Sequence, residues 1–236
     1  MQRRVDSDEQ VLRRARDYPY DRPDGAYLFD IATGSIGPLD QVEHLGARLV
    51  AGRIAVLAVG SNASPRQLAR KFTPDRSSGV IPVIRATLAD HDVVHAAQMA
   101  SYGAVPATLA SSPGTLVQVH VTLLDDRQRS RMDRTEGVPH AYVIDRIDPA
   151  LVECVPPFDG PVIAYGAAKG PLLRDGEPVA LAAIHAERRR CPAVTQTEML
   201  DSIAAALGTT GDEMVLAAVQ DPDVRARVNA LLASWR

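Results

Sequence analysis

The chain has 236 residues, 46% of them hydrophobic and 23% charged, which is close to the globular average and excludes a disordered chain. A net charge of only −3 provides neither a basic face for nucleic acid nor a polybasic patch for a membrane. Cys154 and Cys191 follow no zinc or redox spacing, and we find no signal peptide and no membrane-spanning segment. We therefore expect a cytoplasmic protein that binds neither nucleic acid nor membrane.

The first fifty residues read as an N-terminal extension, 1–50, made of a helix, a loop and a strand. Ser7 can cap a short charged helix that ends near Arg16. Residues 18–25 are rich in turn-forming residues, and residues 25–31 are typical of a strand that packs against the rest of the domain.

A buried strand followed by a tight loop is predicted next. Residues 53–59 form an apolar run that is too short for a helix and stops at Gly60. Ser64 and Pro65 are typical of a helix start, with Ser64 as the N-cap. Residues 60–63 therefore lie between a strand end and a helix start, where unpaired backbone N–H groups can bind a carboxylate or a developing oxyanion.

The middle of the chain predicts a strand, a turn and a second strand, followed directly by a helix. The strands cover 103–109 and 116–123, with the turn at 111–115. Asp125 and the residue after it can cap a helix that runs to Glu136, where Gly137 is a natural stop. A carboxylate is disfavoured at a helix C-terminus by the macrodipole, so Glu136 requires a function or a partner to hold it there.

Three motifs in this order resemble the gamma-glutamylcyclotransferase-like family, which includes the AIG2-like proteins. They are Gly60-Ser61-Asn62, the hairpin from 107–109 to 113–115, and Asp133 to Val138 with Tyr142 beyond. The resemblance covers roughly residues 53–148. It implies an α+β fold, a small mixed β-barrel with flanking helices, in a domain that we place at 51–190.

The resemblance also implies a reaction and a site. In that family the free α-amine of a γ-glutamyl compound attacks its own side-chain carbonyl, giving 5-oxoproline and a released amine without a cofactor. By position, Glu136 becomes the catalytic acid/base. The implied substrate-binding residues are Val59, Gly60, Ser61, Asn62, Ala63 and Tyr142. The family usually has tyrosine where this chain has Val59, so a phenol is missing, and the sequence leaves open both the effect of this change and the identity of the leaving amine.

The C-terminal part, 191–236, predicts three short amphipathic helices. Thr195 and Glu198 form a capping-box pattern, a second helix begins near Asp212, and a third follows Pro222. Helices this short must pack on the barrel, on each other or on a second copy in a homodimer. Residues 179–184, just before them, fit either a strand or a helix.

Two histidines and two serines are further candidate site residues in the sequence. His91 and His95 fall on one face of a predicted strand, but no metal-binding spacing accompanies them, so we predict no metal site. Ser61 and Ser112 lie outside any serine-hydrolase motif.

Two alternatives to the cyclotransferase remain open. One is a catalytically silent module that binds a small ligand or a partner; the other is a related acyl or amine transfer through the same glutamate.

Overall fold

The protein has a mixed α+β fold with six α-helices among the residues described. The structure is a computed structural model, and it describes residues 6–39, 50–73, 79–155, 157–158 and 160–235. The predicted N-terminal extension therefore lies partly outside the described residues, at 1–5 and 40–49, as does residue 236. The helices are α1 (Asp8–Arg16), α2 (Pro65–Phe72), α3 (Asp126–Glu136), α4 (Gln196–Ala206), α5 (Gly211–Gln220) and α6 (Pro222–Ser234).

Most strands join one mixed sheet. The strands are β1 (Tyr27–Asp30), β2 (Ile36–Pro38), β3 (Ile54–Ala58), β4 (Val80–His95), β5 (Ala107–Leu124), β6 (Tyr142–Ile147), β7 (Val152–Cys154), β8 (Val162–Ala167), β9 (Leu173–Arg174), β10 (Glu177–Pro178), β11 (Ala180–Leu181), β12 (Ala186–Glu187) and β13 (Ala193–Val194). The main path through the sheet runs β13-β11-β4-β5-β3-β8-β6, and β9 and β10 pair separately. Residues 179–184, which the sequence left open between strand and helix, contain the short strand β11.

The sheet is open, so the predicted barrel is wrong. Closure would require β6 to pair with the far side of β4. That side of β4 is already occupied by β1, β7 and β11, while β6 pairs only with β8 among the described strands. The predicted strand at 25–31, observed as β1, and the short strands β7 and β11 thus take the hydrogen-bonding edge that a barrel would need.

The predicted hairpin at 107–123 is also wrong, because β5 runs through it as one long strand. It pairs antiparallel with β4 over almost its whole length, with a register shift between Ala89 and His91. Gly114 has a φ of +82° and Asp90 one of +58°. The Gly114 N–H donates to Asp90 Oδ1 at 2.7 Å. The turn signal at 111–115 therefore marks a bulge across the ladder and not a chain reversal.

Two helices cover one face of the sheet beside the strand end of β3. Along β5, Leu123 packs in one hydrophobic cluster and Leu124 in another, as the period of a strand requires. The Leu124 cluster includes Leu68 and Phe72 of α2 and Met132 of α3. A fully buried side chain of this size stabilises the fold by about 2 kcal/mol, and this packing fixes α2 and α3 side by side.

The three C-terminal helices pack with α1 around a separate hydrophobic cluster. Its buried residues include Ala15, Met199, Ile203, Met214 and Val228. The predicted capping box of α4 is confirmed, since Thr195 and Glu198 bond each other's backbone N–H groups. The N-terminal and C-terminal segments are thus in contact through their apolar faces. Among the described residues, none of the helices has the length and hydrophobicity to cross a bilayer.

Candidate active site

A cavity of about 370 Å³ opens where β3 ends, next to the last turn of α3. It brings together five of the six substrate-binding residues predicted from the sequence and the predicted catalytic glutamate. Those residues are Val59, Gly60, Ser61, Asn62, Tyr142 and Glu136. The predicted Ala63 is fully buried and lies outside the lining, and its carbonyl accepts the Tyr27 hydroxyl at 2.7 Å.

The loop after β3 has the predicted strand-loop-helix form. It closes in a short 3-10 helix over Ser61–Ala63, and α2 begins at Pro65. Ser64 is the N-cap by backbone conformation, although its side chain makes no capping bond. Within this loop the Ser64 N–H donates to the Ser61 carbonyl at 2.9 Å, and the Ser61 N–H donates to the Tyr18 oxygen. Gly60, Ser61 and Asn62 line the cavity edge.

Gly60 is required for space and not for an unusual φ. Its φ is −124°, which any residue can adopt. A Cβ built on Gly60 would lie 2.2 Å from the Tyr18 hydroxyl oxygen and 3.2 Å from the Ala107 Cβ. The loop backbone therefore packs directly against a phenol that comes from the N-terminal extension.

Glu136 points into the cavity and is held there by two side chains. Its side chain is 12% exposed and forms an ion pair with Lys71, whose side chain is 7% exposed. The Asn62 amide donates to the same carboxylate oxygen, Oε1, at 2.7 Å, and Lys71 Nζ donates to Asn62 Oδ1 at 2.8 Å. Oε2 makes no hydrogen bond with the described residues, and Glu136 lines the cavity. These contacts offset the unfavourable end of the helix macrodipole.

Lys71 is the member of this triad that the sequence analysis missed. A signal for it exists, because Leu68, Lys71 and Phe72 fall on the single buried face of α2. A lysine at an apolar-face position of an amphipathic helix requires a partner, since an unpaired buried ammonium is costly. Lys71 also donates to Met132 Sδ at 3.4 Å, and Arg131 Nε donates to the Lys71 carbonyl at 2.7 Å.

The end of α3 is positioned as the sequence predicted. Asp125 and Gln128 form a capping box at its start, and Gly137 ends it in the left-handed conformation, with φ +69°. One turn before Glu136, Asp133 Oδ1 accepts the Tyr165 hydroxyl at 2.5 Å. This bond ties α3 to β8, which lies in the sheet beside β3.

The N-terminal extension contributes a phenol to the cavity at Tyr18. The ring is 5% exposed, and its oxygen accepts the Ala107 N–H at 2.8 Å. Burial raises the pKa of Tyr18 strongly, and the nearby Glu136 carboxylate raises it further. The backbone N–H groups of Ala107 and Ser61, which bond the Tyr18 oxygen, lower this pKa in part. Because the oxygen accepts backbone N–H groups, the hydroxyl proton is available to a ligand. The phenol missing at Val59 thus has a counterpart from elsewhere in the chain.

The far wall of the cavity is formed by residues 98–102, which the C-terminal helices hold in place. The Met99 N–H donates to Asn229 Oδ1 of α6 at 2.6 Å. Arg14 of α1 stacks over the Tyr102 ring at 4.8 Å. Tyr102 and Tyr142 both face the cavity, and burial raises the pKa of each well above its ordinary value.

The remaining sequence candidates lie elsewhere. His91 bonds the Ala89 carbonyl, His95 is fully buried, and Ser112 bonds the Thr115 hydroxyl at 2.8 Å. None of the three lines the cavity. Among the described residues, no group of three or more His, Cys, Asp or Glu side chains is arranged to hold a metal ion.

Comparisons with known proteins concern the fold. Neither protein-family models nor curated proteins give a match. Similar solved structures include a gamma-glutamyl cyclotransferase that is 18% identical in sequence. The alignment covers 50% of this chain and 68% of the cyclotransferase chain, with a TM-score of 0.39. Another is an uncharacterized protein from Homo sapiens that is 14% identical in sequence. The alignment covers 61% of this chain and 68% of the human protein's chain, with a TM-score of 0.31.

Proposed function

We propose that the chain is a gamma-glutamyl cyclotransferase-like enzyme, which releases 5-oxoproline and an amine from a γ-glutamyl compound. The observation that carries this proposal is the position of Glu136. Its carboxylate is 12% exposed and shares one cavity with the loop after β3. A single buried carboxylate beside backbone donors meets the minimum requirement of an intramolecular aminolysis.

Glu136 Oε2 supplies the base. A free α-amine titrates near roughly 8, so at neutral pH most of it carries an extra proton and cannot attack. Oε1 already accepts hydrogen bonds from Asn62 and Lys71, whereas Oε2 makes no hydrogen bond with the described residues. The two bonds on Oε1 therefore orient the carboxylate with its free oxygen towards the substrate.

The Glu136 carboxylate alone can carry out both proton transfers of this reaction. The extra proton of the ammonium form is released to solvent first. The neutral α-amine nitrogen then attacks the γ-carbonyl carbon, a new C–N bond forms as the C=O π electrons move to oxygen, and one N–H proton passes from nitrogen to the Glu136 carboxylate. The tetrahedral intermediate then collapses, the bond to the leaving nitrogen breaks, and the protonated Glu136 returns its proton to that nitrogen. General acid/base catalysis of this kind contributes about 100- to 10,000-fold in rate.

The negative charge that develops on the carbonyl oxygen has two classes of donor nearby. One is the Gly60 N–H of the loop backbone, and the other is the Tyr18 hydroxyl, whose oxygen already accepts the Ser61 N–H. The Ala107 N–H that donates to the Tyr18 oxygen polarises this hydroxyl and strengthens it as a donor. One donor of this type is commonly worth about 100- to 1000-fold in turnover.

The wall at 98–102 faces the departing amine in this arrangement. It presents Gln98, Tyr102 and, from β6, Tyr142, which offer aromatic faces and neutral polar atoms and no formal charge. A neutral or apolar amine suits this wall better than a charged one, since a charge would lose its hydration there without gaining a partner.

A silent binding module of the same fold is the second candidate. The observation that favours it is the Lys71–Glu136 ion pair, since a carboxylate held by an ammonium also serves to bind a zwitterionic ligand. A related acyl transfer through Glu136 is the third. These candidates differ in their products: a module gives binding alone, and a different acyl transfer gives an amine without 5-oxoproline.

The test is incubation of the purified chain with a panel of γ-glutamyl compounds, with 5-oxoproline and free amine measured together. The matched control is the same panel with the α-amine acetylated, because an amide nitrogen cannot attack as an amine does. We expect equal amounts of the two products from at least one free-amine compound and none from its acetylated partner. Binding without either product, or amine release from the acetylated compounds, would overturn the proposal.

A further inference from the structure

A second cleft, which we call the N-terminal cleft, lies on the other side of Tyr18 from the candidate active site. It has a volume of about 410 Å³ and lies between residues 17–24 and one face of β4 and β5. The side chains that matter for its chemistry are Arg22, Arg85, Gln118 and His120. The reaction proposed above uses none of them.

His120 is buried at the base of this cleft without a well-formed hydrogen bond. It is 6% exposed, neither Nδ1 nor Nε2 makes a hydrogen bond of normal length and angle with the described residues, and the Pro23 carbonyl is a nearby acceptor. Burial lowers its pKa to about 4, with Arg22 and Arg85 contributing in the same direction and the Pro23 carbonyl and Asp24 opposing them. The ring is therefore neutral at pH 7, with one N–H to donate. Buried polar atoms without partners are rare and call for an explanation.

Arg22 presents a second unpaired donor to the same cleft. Its Nη1 is buried without a partner, and its Nη2 reaches only the Ala183 carbonyl, at 3.4 Å. No described carboxylate lies within ion-pair distance of it, and burial lowers its pKa. A guanidinium has five N–H donors in a planar fork that matches an oxyanion, and most of those of Arg22 are unused.

Arg85 completes the set from the adjacent strand. It lies directly opposite His120 in the β4–β5 ladder, so both side chains are on the same face of the sheet. Its Nη2 donates to Gln118 Oε1 at 2.8 Å, which fixes the guanidinium over the cleft. Asp21 and Asp24 are exposed at the rim. Their negative charge disfavours a large polyanion, and the volume admits a small molecule only.

We propose that the N-terminal cleft is a binding site for a small oxyanion, a carboxylate or phosphate group held by Arg22, Arg85 and the His120 N–H. Such a ligand satisfies the donors that are otherwise buried and unpaired, through charge-assisted hydrogen bonds. Because residues 17–24 also hold Tyr18, the ligand binds directly beside the segment that supplies this phenol to the active site.

The experiment is an NMR titration of the full chain with two probes, acetate and inorganic phosphate, followed on the histidine side chains and backbone amides. We expect saturable shifts at His120 and at residues 17–24 with at least one probe. Arg22→Gln should weaken the affinity at least about 10-fold, since one charge-assisted contact is lost. Arg85→Gln, at an exposed position, tests the site without disturbing the buried packing, and it should weaken binding in the same direction.

The control variant is Arg227→Gln, which removes the same charge from an exposed position of α6 outside the cleft. Its affinity should equal that of the wild type. Glu136→Gln should also bind the probe normally, which separates this site from the proposed active site. The absence of saturation with both probes, or equal affinity in the Arg22 and Arg227 variants, would overturn the proposal and leave the cleft a hydrated surface.

Discussion

The Asn62 amide donates to Glu136 Oε1 at 2.7 Å and thereby joins the loop after β3 to the last turn of α3, although 74 positions separate the two residues. Lys71 bonds both of them. The carboxylate at the end of α3 is therefore oriented by the loop that carries the backbone donors. Asn62, Lys71 and Glu136 are thus positioned as one unit.

Glu136→Gln should abolish 5-oxoproline formation with little change in ligand affinity, although it leaves the Lys71 ammonium without its carboxylate and therefore lowers stability. Glutamine keeps the shape and reach of the side chain but cannot accept the amine proton. We expect turnover to fall at least about 100-fold, with calorimetry giving a dissociation constant close to that of the wild type. Glu153→Gln, on the exposed strand β7, is the matched control. Near-normal turnover in the Glu136 variant would refute its role as the acid/base.

Lys71→Met should destabilise the fold, because it leaves the Glu136 carboxylate with a single side-chain donor at 12% exposure. Breaking a buried pair on one side typically costs about 3 to 5 kcal/mol. The double variant Lys71→Met/Glu136→Gln should recover much of that loss, since no charge is then left unpaired. Urea unfolding of the four forms in the cycle gives the coupling energy. Lys169→Met, at an exposed turn, is the control. If the stability losses of the two single variants simply add up in the double variant, the result argues against the ion pair.

Tyr18→Phe should lower turnover by about 100- to 1000-fold if its hydroxyl donates to the oxyanion. It also removes the acceptor of the Ala107 N–H, which alone costs about 1 to 3 kcal/mol of stability. Kinetics and unfolding are therefore measured together. The control is Tyr20→Phe, since the Tyr20 ring packs edge-on against Tyr18 at 5.9 Å but lies outside the cavity. A loss of stability with an unchanged kcat would make Tyr18 a structural residue only.

Gly60→Val should abolish both ligand binding and turnover, because its Cβ would occupy the place of the Tyr18 hydroxyl, 2.2 Å away. Gly37→Val is the control, since a Cβ there meets nothing within 4 Å. The milder Gly60→Ala isolates the cause: combining it with Tyr18→Phe removes the clashing oxygen and should restore part of the affinity. Calorimetry that finds wild-type affinity in a folded Gly60→Val variant would mean that ligand does not approach this backbone.

Stability should fall as the pH drops from about 6.5 to about 4, because burial lowers the pKa of His95 and of His120 to about 4. In the unfolded chain both titrate near roughly 6.5, so the unfolded state takes up protons first and is favoured through this window. A shift of this size corresponds to about 3 kcal/mol for each group.

The measurement is the free energy of unfolding between pH 7 and pH 4 for the wild type and for His95→Gln. The variant lacks the titrating ring, so its stability should decline less, by about 3 kcal/mol over the window. His140→Gln controls for removal of an exposed imidazole. Parallel curves for the wild type and His95→Gln would contradict the assignment.

The local signals in the sequence determined the elements around the site. The Gly60 loop, the Ser64-Pro65 helix start and the capped helix ending at Gly137 all form where the sequence predicted them. The helix boundaries depend on short-range physics: the positive φ that glycine permits at Gly137, the fixed ring of Pro65 and side chains that bond backbone groups within a few residues. The motifs also named the cavity residues from Val59 to Asn62, with Tyr142 and Glu136, in advance.

Tertiary structure alone decided which distant residues meet. The open sheet results from short strands competing for one edge of β4, and the turn signal at 111–115 became a bulge because β4 pairs with β5 throughout. Lys71 reaches Glu136, and Tyr18 enters the cavity, through the packing of α2 and of the N-terminal segment. Such contacts depend on the total free energy of packing many apolar side chains, which no local pattern contains. For that reason the sequence could place Glu136 at the candidate site, while only the fold could name the residues that contact it.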